Sequence, residues 1–526
     1  MSKKTGMEKI SKRLGLAALK EGFKEVWRYG TGKVGIIMLI VLVSIAISAI
    51  IVLPPNFPAL WNNLKAWQEN PKLVPPAWIA YLGVPAVFQY EHTIPGSQYS
   101  VNMTITKYYT VPVLYYTTNY NLKSKVFPTG LLFEISKIKL LDRYKAYNIN
   151  TGERYKAPTI IITVTRPDGI KMVLYNGAPS ILFQQNISGA AYIYVTQPLY
   201  ISPTNVLNAD QVQEEFKKLY NVTVNLATGM GNVYKISNIV FGKPVSISGS
   251  ASNVTFEPLE GSYTFSIYFV TLPSFPVQLA APPVDSIKIV VKGSVYGLMG
   301  TDSNGRDLAL GLYYGFPVAL SIGLVVAFLD TLIGVIVGAI SGYYGGLVDE
   351  FIQRTVDVMG NIPLLPILII IGEIARQIYA NNPVLVIWVI LLTIVIFSWG
   401  GLTIVIRSMT LSIKGEQYVE AAKCLGASNK RIIFLHIIPQ VIPYAVASMV
   451  FSVPAAILTV AGLAVLGIIQ NFPSWGTILA NARANAAITD WWWIIPPGLL
   501  IAITSLTFVL IGMALERIVE PRLRTR

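Results

Sequence analysis

Long apolar runs with few or no charged residues recur along the chain. The first covers residues 34–53, and at about 1.5 Å per helical residue it reaches about 30 Å, the thickness of a bilayer's hydrocarbon core. Five more runs follow, at 316–340, about 356–379, 383–406, 443–469 and 491–513. The third is the weakest, because Asp357, Glu373 and Arg376 interrupt it. The pattern predicts an α-helical integral membrane protein with about six transmembrane helices.

Residues 55–299, between the first two runs, have a different pattern. The segments rich in Val, Ile, Thr, Tyr and Phe, which favour strands, are 100–116, 159–165, 170–175 and 263–272. The turn Arg166-Pro167-Asp168-Gly169 joins two of them and indicates a β-hairpin. One helix is predicted near 210–220, capped by Asn208 or Asp210. We therefore predict a mainly β domain of one or two sandwich units, inserted between helices 1 and 2.

Composition supports a membrane protein, and the charges orient it. The chain is 53% hydrophobic and 13% charged, against about a quarter charged in soluble domains. Nine Lys or Arg lie in residues 1–33, and the segments that a six-helix count places inside hold nineteen, whereas the short outer loops hold only Arg376 and Arg483. This positive-inside pattern predicts cytoplasmic termini and an extracellular 55–299. A cleaved signal peptide is the alternative for 34–53, but it needs a shorter run and a small-residue cleavage site.

The net charge of +14 does not indicate nucleic-acid binding, because the basic residues form no stripe interleaved with aromatics. No enzyme site is indicated either. In this topology the two histidines, His92 and His436, lie on opposite sides of the membrane, so they form no metal site or triad together. The pairs Gly32-Lys33 and Gly242-Lys243 lack the Ser or Thr of a phosphate-binding loop. We predict no catalytic residue, metal or cofactor.

The segment 416–433, between the fourth and fifth runs, carries a second pattern. Tyr418, Ala421, Ala422 and Leu425 recur at helical spacing and place a small apolar stripe on one face of a short helix. Next, Gly426 suits the left-handed residue that ends a helix, and Ser428 can cap the following one. We interpret the segment, which includes the only cysteine, Cys424, as a docking knob. An amphipathic loop on the membrane surface is the alternative.

This segment resembles the EAA loop of ABC-importer permeases. Glu420-Ala421-Ala422, Gly426 and Pro439 have the residues and spacing of that loop. Residues 300–307, Gly300-Thr301-Asp302-Ser303-Asn304-Gly305-Arg306-Asp307, resemble the signature that precedes helix 2 in the dipeptide/oligopeptide branch. Further similar motifs are Arg407-Ser408, Gly342-Tyr343-Tyr344-Gly345-Gly346, His436-Ile437-Ile438-Pro439, Pro473-Ser474-Trp475-Gly476, Pro497-Gly498-Leu499 and Glu520-Pro521-Arg522-Leu523. The resemblance covers residues 300–526 closely and 1–54 loosely.

The resemblance implies a type I ABC-importer permease subunit in the cell membrane. It implies a cytoplasmic segment 1–33, helix 1 at 34–54 and a five-helix core at 300–526. Its partners are a homologous second permease, an extracellular solute-binding protein, and two ATPase subunits bound at the coupling loop, about 407–442. The implied coupling residues are Glu416, Tyr418, Glu420, Ala421, Ala422, Leu425, Gly426, Ser428 and Pro439. The substrate would be di- or oligopeptides, with oligosaccharides or nickel as alternatives. A receptor or adhesin is the alternative of another class, but it needs no EAA spacing.

Three features depart from the family pattern. The 55–299 insertion is unusually long. It could be a docking platform for the solute-binding protein, could hold substrate near the pore mouth, or could be a structural spacer. Asp330 lies within the second run, where a carboxylate must pair, neutralise or face water; it either lines the translocation path or bonds within the bundle. Val460 stands where many relatives carry Glu. Trp491-Trp492-Trp493 fits an aromatic belt at the outer surface, with core packing as the alternative.

Overall fold

We analysed a computed structural model of the chain. It describes residues 25–105, 110–142, 159–177, 185–186, 192–194, 198–226, 235–246, 254–270, 277–279, 281–380, 382–487 and 489–519. The chain divides into two compact units, a helical unit of residues 1–64 with 308–526 and a β-rich unit of 65–307. The terminal motif 520–523 and most of the basic segment 1–33 lie outside the described residues.

The helical unit contains twelve helices within the described residues. They are α1 (Gly30–Val52), α2 (Phe57–Asn62), α3 (Leu308–Tyr344), α4 (Gly346–Asn361), α5 (Leu364–Ile378), α6 (Pro383–Ser398), α7 (Gly400–Lys414), α8 (Gln417–Cys424), α9 (Asn429–Ile432), α10 (Ile438–Val465), α11 (Trp475–Ala484) and α12 (Trp491–Val519). A π-helical turn, Ile433–Ile437, connects α9 to α10. The long helices coincide with the predicted apolar runs, and most extend beyond them by a turn or more.

The third predicted span, 356–379, is not one straight helix. Five segments in the described chain are long and apolar enough to cross a membrane, and α4 with α5 makes a sixth only if this pair, bent by 79°, counts as one span. The bend lies at Ile362 and Pro363, both extended in backbone conformation. Proline disfavours a helical conformation in the residue before it, which explains why the helix stops there. The prediction of a single span at 356–379 is therefore corrected to two helices.

Close contact between α3 and α7 depends on a glycine. A Cβ added to Gly338 would lie 2.8 Å from the carbonyl oxygen of Thr403 and 2.8 Å from the Cβ of Ile406. Small residues at such contacts let two helix backbones approach closely, which is how helices associate inside a membrane. Thr403 strengthens this contact, since its hydroxyl donates to the carbonyl oxygens of Trp399 at 3.0 Å and of Gly334 at 3.4 Å.

Among its described residues, the β-rich unit has antiparallel sheets, the α-helices Ala209–Tyr220 and Ile236–Phe241, and the 3-10 helix Ala77–Leu82. Its strands are β1 (Tyr90–Pro95), β2 (Ser100–Ile105), β3 (Thr110–Leu122), β4 (Gly130–Ser136), β5 (Lys139–Asp142), β6 (Thr159–Thr165), β7 (Lys171–Gly177), β8 (Gln185–Asn186), β9 (Tyr192–Tyr194), β10 (Leu199–Ile201), β11 (Gly242–Ser246), β12 (Val254–Pro258), β13 (Gly261–Val270), β14 (Val277–Leu279) and β15 (Ser286–Lys292). The larger sheets have the orders β2-β3-β13-β6-β7 and β1-β15-β4-β10. The hairpin of β6 and β7 is confirmed. The predicted segment 100–116 is corrected to two antiparallel strands, β2 and the first half of β3, with residues 106–109 outside the described residues. The predicted segment 263–272 contains most of β13, and its residues 271–272 lie outside the described residues.

The core of the β-rich unit lies between its sheets. Phe133 of β4 packs edge-on against Phe265 of β13, with 5.8 Å between ring centroids, and both are fully buried. The predicted helix is present as Ala209–Tyr220, but Asn208 does not cap it with its side chain. Instead, the Asn208 amide bonds the backbone of β7, accepting from Val173 at 2.8 Å and donating to Lys171 at 3.0 Å. Asn208 therefore joins the helix to the sheet.

The β-rich unit begins and ends somewhat later in the chain than the predicted 55–299. The helix α2 belongs to the helical unit, where Phe57 packs against Tyr314 of α3 with 5.1 Å between ring centroids. Residues 300–307 belong to the β-rich unit, because their backbone bonds that of residues 73–74. Tertiary contacts therefore set both boundaries.

Candidate functional site

The loop between α7 and α10 has the local geometry that its sequence predicts. It contains the two-turn helix α8, and Gly426 then adopts a left-handed conformation with φ of +78°. The hydroxyl of Ser428 accepts from the backbone N–H of Arg431 at 3.4 Å and caps α9. The predicted left-handed glycine and helix cap are both confirmed. Pro439 lies in the first turn of α10, directly after the π-helical turn.

One face of α8 is exposed along its length. Leu425 exposes 88% of its surface and Tyr418 exposes 42%, while Glu416, Glu420 and Ala421 are also exposed. The exposed Leu425 and Tyr418 give this face a small apolar centre, and exposed side chains of both charges, Glu420 and Lys423, lie on the same helix. Such a surface suits a protein partner.

The opposite side of α8 is anchored in the helical unit. Val419 is fully buried, as are Ile432 and Ile437, and all three belong to one hydrophobic cluster. Its other buried members are Val335, Ala339, Tyr343, Ile406, Ile433, Val441 and Ala445. These residues come from α3, α7, α10 and the π turn as well as from the loop. A displacement of the loop would therefore push on several long helices at once, because close-packed interiors resist deformation.

An ion pair fixes α7, just before the loop, to the start of α4. The guanidinium of Arg407 donates to both carboxylate oxygens of Asp349, at 2.5 Å each. The hydroxyl of Ser341 in α3 also donates to Asp349 at 2.5 Å. The bidentate geometry gives direction as well as attraction. The sequence indicated Arg407 within a family motif, but it gave no signal that Asp349 is its partner.

The signature at 300–307 forms a compact buried turn. The Asp302 carboxylate accepts from the backbone N–H groups of Asn304 and Arg306 at 2.8 and 2.9 Å, and from the Arg306 guanidinium at 2.5 Å. Both charged side chains are buried, so each neutralises the other. Gly300 and Gly305 have positive φ, and Thr301 pairs with Asp307 across the turn. The signature residues therefore hold each other in place.

Asp330 lies inside the helical bundle. It exposes only 8% of its surface, and its carboxylate accepts from the hydroxyl of Ser398 in α6 at 2.8 Å. This arrangement favours a hydrogen bond within the bundle over a position on the translocation path. Val460 is also buried, in an apolar cavity of about 30 Å³ next to Gly315 and Trp475. Of the three predicted belt tryptophans, Trp493 is fully buried and follows the core-packing alternative, while Trp491 is partly exposed.

No cluster of three or more potential metal ligands occurs among the residues described. The sequence indicated Tyr343 only within a family motif, although it is a buried member of the cluster under α8. Its position at the junction of four helices has no local sequence signal.

Comparisons with known proteins agree with these observations. Residues 334–525 match the family model of the binding-protein-dependent transport system inner membrane component. The chain is 33% identical over 228 residues to the oligopeptide transport system permease protein OppC of Bacillus subtilis, covering 43% of this chain and 72% of that protein. It is 32% identical over 262 residues to the OppC of Haemophilus influenzae, covering 49% and 81%.

Among solved structures, an inward-facing MetNI methionine ABC transporter has 20% identity and a TM-score of 0.32, covering 42% of this chain and 98% of that one. The family assignment rests on the sequence relatives, whose lengths are largely covered. With its membrane-spanning helices, this chain belongs to the binding-protein-dependent ABC-importer permeases, in their dipeptide and oligopeptide branch.

Proposed function

We propose that this permease couples ATP hydrolysis by two partner ATPases to import of di- or oligopeptides, and that it does so through the loop around α8. The exposed stripe of Tyr418 and Leu425, anchored beneath by buried Val419, is the observation that carries the proposal. A rigid knob seated in a groove of an ATPase would pass that subunit's closure to the long helices. The peptide substrate is inferred from the names of the relatives, which are oligopeptide and dipeptide permeases.

The partners follow from the same reasoning. A homologous second permease would complete the translocation path, and an extracellular solute-binding protein would deliver the substrate. The positive-inside charge distribution supports cytoplasmic termini and a cytoplasmic α8. This orientation requires the bent pair of α4 and α5 to complete one crossing, since five crossings would put the two termini on opposite sides.

Cysteine chemistry tests the orientation and the docking together. Cys424 is exposed at the end of α8 and is the only cysteine in the chain. In closed, right-side-out vesicles we expect a membrane-impermeant maleimide to spare Cys424, and to label a cysteine introduced at exposed Leu219 in a Cys424→Ser background. Co-assembly with the ATPases should then protect Cys424 in opened vesicles. Labelling of Cys424 from outside would contradict the orientation.

Charge reversal tests the docking surface directly. We expect Glu420→Lys to leave the protein inserted in the membrane but to abolish co-purification of the ATPases or to uncouple their hydrolysis from uptake. Gly426→Asp should act similarly, because a side chain is strained at φ of +78°. Glu350→Lys is the matched control, with the same change of charge at an exposed position on α4. Normal co-purification and normal uptake in Glu420→Lys would refute the docking assignment.

For the β-rich unit we propose a docking platform for the solute-binding protein, with a spacer as the alternative. A structure-guided deletion distinguishes them. Ser294 and Val87 are joined by two hydrogen bonds, at 2.8 and 2.9 Å, so residues 89–292 can be replaced by a two-residue turn without disturbing the signature at 300–307. A platform predicts loss of uptake supported by the binding protein, while unchanged uptake would favour the spacer.

A further inference from the structure

Four helices of the helical unit meet at one side chain, Tyr343. It lies next to the end of α3, within the Gly-Tyr-Tyr-Gly-Gly motif, and exposes only 5% of its surface. Its hydroxyl donates to the side-chain oxygen of Asn429, the first residue of α9, at 2.9 Å. Its backbone carbonyl accepts from the ammonium of Lys414, at the end of α7, at 2.6 Å.

Two cations also contact the Tyr343 ring. The ammonium groups of Lys414 and Lys423 each lie 5.6 Å from the ring centroid, within the range of cation–π attraction. Lys423 belongs to α8, whose exposed face forms the docking surface, and Lys414 lies three residues before α8 begins. One tyrosine thus makes polar contacts with the helix before the docking surface, with that helix itself and with the helix that follows.

We infer that Tyr343 is a positioning residue that clamps the α8 loop to α3, so that the two move as one body during the transport cycle. This inference rests on the proposed docking of α8. Apolar packing, as in Val419 against its cluster, resists displacement of the loop but is non-directional. Directed contacts to Asn429, Lys414 and Lys423 fix the orientation of the loop as well as its distance.

The clamp connects the loop to the part of α3 that packs against α7. Tyr343 directly follows Gly342, where α3 closely approaches α7, because a Cβ added to Gly342 would lie 2.7 Å from the carbonyl oxygen of Arg407. Because α3 is one unbroken helix of 37 residues, a force applied at Tyr343 acts along its whole length. The adjacent Tyr344 provides an internal comparison, since it exposes 48% of its surface and is in edge-on contact with the Tyr343 ring.

Distance measurements on the complete complex test the clamp. The chain would be assembled with its second permease and ATPases in nanodiscs, with Cys424→Ser and cysteine-free partners. Nitroxides would be attached at Lys430→Cys in α9 and Phe328→Cys in α3, both exposed positions. Double electron–electron resonance then gives the distance between the two nitroxides with and without ATP plus vanadate.

With Tyr343 present, we expect one narrow distance distribution that ATP and vanadate leave unchanged. In Tyr343→Leu the docked loop should follow the ATPases without α3, so the distance should shift by several ångströms on adding nucleotide. Tyr343→Phe, which loses only the bond to Asn429, should broaden the distribution, and Tyr344→Leu should behave as the parent chain.

The outcomes separate the clamp from the docking on which it rests. ATPases that fail to co-purify with the parent chain would refute the docking. With the ATPases bound, the same nitroxide separation in Tyr343→Leu with and without ATP plus vanadate would refute the proposed clamp. A nucleotide-dependent shift in the parent chain would also overturn it, because the loop and α3 would then move separately.

Discussion

The helical unit and the β-rich unit differ in how completely they bury their apolar side chains. In the β-rich unit the large aromatic residues Phe133, Phe265 and Phe269 are fully buried within the unit itself. In the helical unit, Ile51 of α1 exposes 76% of its surface and is only one of many exposed apolar residues. A water-exposed domain gains stability by burying such groups, whereas a helix in lipid has no such need.

The polar contacts differ in the same way. In the β-rich unit, buried pairs such as Arg166 with Asp168 hold the unit's own turns together. In the helical unit the polar contacts around Arg407 and Tyr343 cluster at the base of one exposed loop. Buried charge in the first unit therefore stabilises that unit's own fold, whereas the polar contacts clustered around Arg407 and Tyr343 lie beneath the loop proposed to dock the ATPases.

The largest effect is expected from the core of the β-rich unit. Phe265→Ala should destabilise that unit by about 3–5 kcal/mol, since it removes a fully buried ring and leaves a cavity. Pulse proteolysis of the full chain in detergent over a denaturant series measures this loss of stability, with cleavage monitored through the fragments of the β-rich unit. Ile51→Ala is the counterpart in α1 and should change the stability of the helical unit little. Equal losses in both variants would contradict the difference in burial.

Asp168→Asn should destabilise the β-rich unit by about 3 kcal/mol, because it leaves the buried Arg166 guanidinium without its charged partner. Burial raises the pKa of Asp168. The hydrogen bonds and positive charge of Arg166, together with the hydrogen bond from Tyr220, lower the pKa by more than burial raises it, so it lies below its usual value. Pulse proteolysis at neutral pH, as for Phe265→Ala, measures this loss of stability.

The pH dependence gives this prediction a second test. A carboxyl group with a lowered folded pKa contributes stability above its unfolded pKa, about 3.9, and loses it as the pH falls through the folded value. Part of the acid sensitivity of the parent unit below about pH 4 should therefore be absent in Asp168→Asn. Identical acid profiles for the two proteins would contradict this role of Asp168.

A smaller effect is expected where α3 approaches α7. Gly338→Ala forces a Cβ to within 2.8 Å of the Thr403 carbonyl and should cost about 1–3 kcal/mol, a typical cost of overpacking. Thermal aggregation of the detergent-solubilised chain measures it. Gly401→Ala on α7 is the control, since a Cβ there meets no atom within 4 Å. A loss in the control alone would show that α3 and α7 are not closely packed.

The smallest effect is expected at Asp330. Its buried bond to Ser398 indicates a structural contact, and hydrogen bonds between transmembrane helices contribute about 0.6–2 kcal/mol. Asp330→Asn keeps an acceptor for Ser398, so peptide uptake and thermal stability should remain near those of the parent chain. A large loss of uptake with normal stability and normal ATPase binding would place Asp330 on the translocation path and reverse this interpretation.

Local patterns in the sequence predicted much of the fold. Apolar runs predicted the long helices because a helix in lipid needs only length and an absence of charge. Gly426 and Ser428 predicted the turn after α8, and residues 166–169 predicted a hairpin, because backbone conformations in turns are set by the residues within them. The bend at Ile362 and Pro363 was not predicted, although the third run appeared weak.

Local patterns along the chain are sufficient to predict the class of the protein, the position of the α8 loop and the kinds of residue on its surface. The pairing of Arg407 with Asp349, the bond from Ser398 to Asp330 and the contact of Tyr343 with Asn429 are visible only in the folded chain. These partners lie 58 to 86 residues apart in the chain. Their pairing depends on how the helices pack, and no local periodicity records which helix faces meet.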